Sequence, residues 1–140
     1  MTAPFRLVGI DHVVLRAREP KRLVAFYRDV LGCTVEREQP AFGLTQLRAG
    51  RSLIDLVDVA GPAGRPGGAP AGKGGRNMDH LCLRIEPFDA RVIAAHLRHH
   101  GIEPGKTGTR YGAEGDGPSI YLADPEGNTI ELKGPPAQAR

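Results

Sequence analysis

Ile10-Asp11-His12-Val13-Val14-Leu15-Arg16 returns later in the chain as Met78-Asp79-His80-Leu81-Cys82-Leu83-Arg84. Asp-His, a leucine three residues after the His, and an Arg after that recur in register. A repeat of this size marks a duplicated supersecondary module. It also sets two histidines at equivalent points of the two copies. If the copies pack symmetrically, their imidazoles converge on one ion.

Working outward from each Asp-His, the two copies read alike. In the first, alternation predicts a strand over residues 7–17. Pro20 then suits a first helical turn. Leu23, Phe26, Tyr27, Val30 and Leu31 recur at spacings of three and four, which predicts a helix over 21–31 with one buried stripe. Gly32 supplies its stop. Three strands are expected at 34–38, 44–48 and 52–59, with Ala49-Gly50 turning between the last two. The second copy repeats the order: a strand over 77–85, a helix over 88–100 ended by Gly101, and strands over 106–111, 119–123 and 129–133. Asp124-Pro125-Glu126-Gly127-Asn128 is a strong turn signal, so the last two strands form a hairpin. The expected organisation is α+β, with module one over 6–60 and module two over 76–134. The Gly/Pro-rich stretch 61–75 reads as a flexible linker and 135–140 as a frayed tail.

The 140 residues suit one domain or two small fused modules, and formal net charge is only +3. Without a basic block or a reader motif, nucleic acid is not an expected partner. No apolar run approaches a membrane span of roughly 20 residues. No signal peptide is visible and the two cysteines form no disulfide pattern, so a cytoplasmic protein with reduced thiols is expected.

Strand parity places the chemistry. His12 shares a face with Ile10, Val14 and Arg16, and His80 with Met78, Cys82 and Arg84. Glu131 lies between Ile130 and Leu132, and Asp55 lies between Ile54 and Leu56. A carboxylate in an apolar run is costly to bury without a partner. Each module therefore offers one early His and one late carboxylate. Imidazole with carboxylate suits a divalent ion such as Zn, Ni, Mn, Co or Fe(II). Taken singly, each His reads equally as a hydrogen-bonded or solvated strand residue, and each acid as a solvated one.

Three stretches carry a family resemblance: Asp11-His12-Val13-Val14-Leu15, Ala25-Phe26-Tyr27-Arg28-Asp29-Val30-Leu31-Gly32, and the run from Tyr121 to Leu132. Together they resemble the vicinal oxygen chelate superfamily, which includes glyoxalase I, methylmalonyl-CoA epimerase, extradiol dioxygenases, fosfomycin-resistance enzymes and bleomycin-binding proteins. The resemblance covers about residues 7–133. It implies two βαβββ modules whose eight strands form a curled mixed sheet around a cleft, with one helix per module. It implies metal ligands at His12, His80 and Glu131. The fourth position holds Asp55, where glyoxalase I-like members carry Glu, His or Gln. Asp is shorter by one methylene, about 1.5 Å.

The activity implied is that of a glyoxalase-like lyase or isomerase. It would act on a small α-oxygenated substrate through a metal-bound enediolate, with Glu131 as ligand and catalytic base. If Asp55 does not bind, two His and one carboxylate resemble the facial triad of an Fe(II) extradiol dioxygenase, or the site of a fosfomycin-resistance transferase. A bleomycin-resistance-type binding protein is the non-enzymatic alternative. Single-domain relatives commonly form homodimers, so one is expected here. Tyr121, Arg110 and Tyr111 are the candidate substrate-binding residues, with Arg84 and Lys133 as further anion binders. His96, His99 and His100 read as a solvated helix end, and Cys82 as a small buried residue.

Overall fold

The computed structural model describes residues 3–137. The chain divides into two compact units, residues 1–70 and 71–140. The first contains β1 (His12–Ala17), α1 (Pro20–Asp29), β2 (Thr34–Gln39), β3 (Leu44–Ala49) and β4 (Ser52–Asp58). The second contains β5 (Leu81–Arg84), α2 (Ala90–His99), β6 (Thr107–Gly112), β7 (Gly115–Ala123) and β8 (Thr129–Lys133). Each is the expected βαβββ module. The eight strands hydrogen-bond as two sheets of four, in the orders β1-β4-β3-β2 and β5-β8-β7-β6. In each sheet the outer pair, β1 with β4 or β5 with β8, is parallel and the other pairs are antiparallel.

Local chemistry accounts for these elements. Pro20 opens α1, and Leu23, Phe26 and Tyr27 form its buried stripe against β3 and β4. The helix ends near Val30, and Gly32 takes φ +79°, a conformation that favours glycine. The Asp89 carboxylate caps α2 by accepting from the N–H groups of Arg91 (3.0 Å) and Val92 (3.2 Å). The turn before β8 is held by Asp124, whose Oδ1 accepts from the N–H groups of Glu126 (2.8 Å) and Asn128 (3.0 Å).

Leu15, Leu47, Ile54 and Leu56 share the face that α1 covers, and all are buried. Ile120, Leu122, Ile130 and Leu132 form the matching buried face of the second sheet. Burying one such side chain stabilises the fold by roughly 1.5–3 kcal/mol. The register puts Asp55 and Glu131 on the opposite faces, yet they are only 4% and 5% exposed. Both stand on interior strands, flanked on two sides.

Three expectations are corrected. The first strand of each module is shorter than alternation implied, because a strand requires a paired neighbour. Residues 7–11 lie outside β1, and Asn77 to His80 lie outside β5. Residues 112–118 are no open loop: Gly112 pairs with Gly115 in a tight hairpin. Nor are residues 61–69 a featureless linker. A 3-10 turn spans Arg65–Gly67, and Arg16 donates to the carbonyls of Gly64 (3.1 Å), Gly68 (2.6 Å) and Ala69 (2.8 Å). Of the expected tail, residues 138–140 lie outside the described residues, while Ala137 N–H donates to Asp116.

Candidate functional site

Each unit carries a cluster of polar side chains at the same place in its topology. In the second unit, Cys82 of β5 stands directly beside Glu131 of β8, and Glu131 stands directly opposite Tyr121 of β7. His80, just before β5, brings its Nε2 to 3.2 Å from Glu131 Oε1. Asp79 holds the other ring nitrogen, Nδ1, at 2.7 Å. The His80 and Tyr121 rings meet edge to face, with centroids 5.5 Å apart. Arg110 lies over the Tyr121 ring, 4.7 Å from its centroid, and donates to Ser119 Oγ at 2.7 Å.

The first unit repeats the arrangement with different side chains. Val14 of β1 stands beside Asp55 of β4, and Gln46 of β3 stands opposite it. Asp11 holds His12 Nδ1 at 2.7 Å. Gln46 Nε2 donates to Asp55 Oδ2 at 3.1 Å, and Gln39 Nε2 donates to Gln46 Oε1 at 3.4 Å. Asp55 Oδ1 is buried and has no hydrogen-bond partner among the described residues.

The charges agree with this grouping. The hydrogen bond to Asp11 raises the His12 pKa, against a smaller loss of solvation, and the negative charge of Asp55 adds to the rise. Partial desolvation and the Glu131 charge push the Cys82 thiol up to about 11. Desolvation first and Glu131 second raise the Tyr121 phenol, which stays a proton donor.

The candidate residues separate cleanly. His80, Glu131, Tyr121 and Arg110 come together in the second unit; in the first, His12 and Asp55 share a sheet face, near enough for the Asp55 charge to act on the imidazole. Tyr111 does not join them. It pairs with Asp116 on the other face of its hairpin and is 82% exposed. Cys82 is exposed on the face of Glu131, and is not the buried residue expected. Arg84 is held by Glu114 (2.5 Å) and Glu86 (3.3 Å), and buried Lys133 donates to the Gly115 carbonyl (3.0 Å). Both are occupied structurally. His96, His99 and His100 are exposed at the end of α2. A cavity of about 740 Å³ between α1 and the β2–β3 hairpin, lined by Glu19, Lys21, Arg28, Glu38 and Asp58, contains none of the candidates.

Sequence reasoning missed Gln46 and the tethering roles of Asp11 and Asp79. The repeated Asp before each His was one signal. The other was the turn at Gly50, which fixes the hairpin register that sets Gln46 opposite Asp55.

The donor chemistry fits a divalent ion. With Nδ1 held by Asp79, His80 turns Nε2 to within 3.2 Å of Glu131 Oε1, a spacing at which the two can share a proton or a metal ion. Two ligands of one ion at about 2.1 Å stand roughly 3–3.4 Å apart. The bare Asp55 oxygen calls for a partner, since a buried unpaired carboxylate is costly. Among the described residues, however, no three His, Cys, Asp or Glu side chains already form a ligand cluster.

Comparison with known proteins bears on the fold. An integron cassette protein from V. cholerae is 24% identical, with 93% of this chain and 97% of that one covered at a TM-score of 0.75. Lactoylglutathione lyase from Agrobacterium tumefaciens is 22% identical, covering 91% and 94% at 0.66. An antibiotic-binding protein from Streptomyces sp. CB03234 is 20% identical, covering 94% and 98% at 0.67. Enzymes and binding proteins thus share the fold. No helix among the described residues is long and apolar enough to cross a membrane. A sequence model of one family matches residues 9–132, and the chain belongs to that family, the Glyoxalase/Bleomycin resistance protein/Dioxygenase superfamily.

Proposed function

We propose that the chain is a metal-dependent lyase or isomerase acting on a small α-oxygenated substrate, in the cytoplasm and as a homodimer. The ligands would be His12, His80, Glu131 and Asp55. The reading requires these side chains to reach one ion. The observation that supports it most is that an Asp-tethered His and a buried carboxylate recur at equivalent positions of the two modules, the second pair standing 3.2 Å apart.

A bound divalent ion would polarise the oxygens of the substrate as a Lewis acid. Glu131 would take a proton from one carbon and return it to its neighbour. General-base work of this kind contributes typically about 10²–10⁴-fold. Tyr121, kept protonated beside Glu131, would donate to a substrate oxygen. Arg110 has guanidinium nitrogens beyond the one used on Ser119, and would bind a substrate carboxylate or other anion.

The binding-protein alternative relies on an aromatic cleft, and of the strand residues sharing a face with Asp55 or Glu131 only Tyr121 is aromatic. A dioxygenase or transferase would need Asp55 to stand off the ion. Glu131→Gln tests the leading reading. Elemental analysis should show metal lost, and turnover of α-oxo and α-hydroxy substrates should fall at least about 100-fold. Metal uptake and activity equal to the wild type would refute it.

A further inference from the structure

We propose that Gln46 is the positioning residue that makes Asp55 a metal ligand, and that Gln39 holds Gln46 in turn. This rests on the metal-site reading above and deepens it. Asp55 is buried, shorter than the Glu131 that matches it, and on an interior strand, so it reaches an ion only from one fixed attitude. Gln46 supplies that attitude. It stands directly opposite on β3 and donates its amide N–H to Oδ2 at 3.1 Å. The other oxygen, Oδ1, stays bare and buried. Gln39 donates to Gln46 Oε1 at 3.4 Å, which fixes the amide with its nitrogen toward the carboxylate.

The residue type matters. A Lys or Arg opposite Asp55 would compete with the ion for the carboxylate. An amide orients the carboxylate without competing. In the second unit the position facing the carboxylate holds Tyr121, whose phenol carries an exchangeable proton. The two modules thus differ at this place: Asp55 faces an amide, and Glu131 faces a phenol.

The test titrates the metal-free full-length chain with Co²⁺, following its visible absorption, for wild type, Gln46→Met, Gln39→Met, Asp55→Ala and the Gln46→Met/Asp55→Ala double variant. Loss of an outer hydrogen bond to a ligand typically costs about 10–100-fold in metal affinity, and Gln46→Met should fall in that range with an altered Co²⁺ spectrum. Gln39→Met should weaken binding several-fold. With Asp55 already removed, Gln46→Met should change nothing further, because it acts through that carboxylate. Should Gln46→Met misfold, Gln39→Met carries the test, since it leaves the Gln46–Asp55 contact in place. Wild-type affinity in the Gln single variants, or a Gln46→Met loss that persists without Asp55, overturns the proposal. Co²⁺ uptake that Glu131→Gln abolishes while the Gln variants leave it intact overturns this proposal alone. No uptake by the wild type overturns it together with the metal reading.

Discussion

Asp79 holds His80 through Nδ1 at 2.7 Å, and leaves Nε2 turned toward Glu131. The Asp79 side chain is 86% exposed, so it contributes little to the core. A carboxylate behind a ligating His fixes the ring's tautomer and raises its basicity. Asp79→Ala should therefore weaken metal binding about 10–100-fold while leaving the denaturation midpoint unchanged. Asp79→Asn, which keeps an acceptor without the charge, should fall between. Metal titration beside urea denaturation checks both. Unchanged affinity in Asp79→Ala would remove the tether from the mechanism.

Arg110 bears on substrate choice. Its guanidinium stacks on Tyr121 and spends one nitrogen on Ser119, which fixes the plane of the fork. A Lys in its place is a point charge without that plane. With an anionic α-oxygenated substrate, Arg110→Lys should raise KM by about 10-fold or more and change kcat little. With an uncharged analogue, KM should be unaffected. Equal effects on both substrates would show that Arg110 supports Tyr121 without meeting an anion.

A pH prediction comes from the edge of the first sheet. Glu36 sits at the bulge between Val35 and Arg37, and Arg48 of β3 reaches across to it, 3.0 Å away. The hydrogen bond from Arg48, and then its charge, lower the Glu36 pKa. A carboxylate depressed on folding stabilises the native state fully above its unfolded pKa. That contribution is lost as pH falls through the folded value. The stability gap between wild type and Glu36→Gln should thus be present at about pH 7, small at about pH 3, and narrowed by salt, because the pair is exposed. A gap independent of pH would assign the effect to packing.

What was legible in the sequence was local chemistry and periodicity. Leu23, Phe26 and Tyr27 announced α1, the Asp124–Asn128 turn announced the last hairpin, and the two Asp-His pairs announced the duplication. The turn alone left open whether Tyr121 and Glu131 share a face, and the strand pairing sets them directly opposite. The rest depended on contacts between distant residues. Gln46 is an unremarkable strand glutamine until Asp55 stands opposite. Tyr111 looked equivalent to Arg110 until pairing put the two on opposite faces. Residues 7–11 alternate as a strand does, but strand structure also needs a neighbour, which alternation does not reveal.

The glycine-rich segment after β4 shows the same principle and gives the last prediction. Its composition reads as flexible, yet one guanidinium contributed from β1 gathers three of its carbonyls. Gly64 is packed against the Asp58 carbonyl, where an added Cβ would lie 2.0 Å from the oxygen. Gly67 passes so close to the Arg16 side chain that a Cβ there would meet its Nε at 2.6 Å. Glycine is needed at 64, where the obstacle is backbone, whereas at 67 the Arg16 guanidinium would have to move aside. Arg16→Lys keeps the charge but loses the fork, and the segment should open. The backbone amides of Gly64, Gly67 and Gly68, which donate within this segment, should then exchange with solvent many times faster than in the wild type, while circular dichroism of the strands and helices stays the same. Gly64→Ala should open the same segment from the other side, at a cost of about 1–3 kcal/mol from overpacking. If those amides exchange as fast in the wild type as in Arg16→Lys, the clamp does not order the segment in solution.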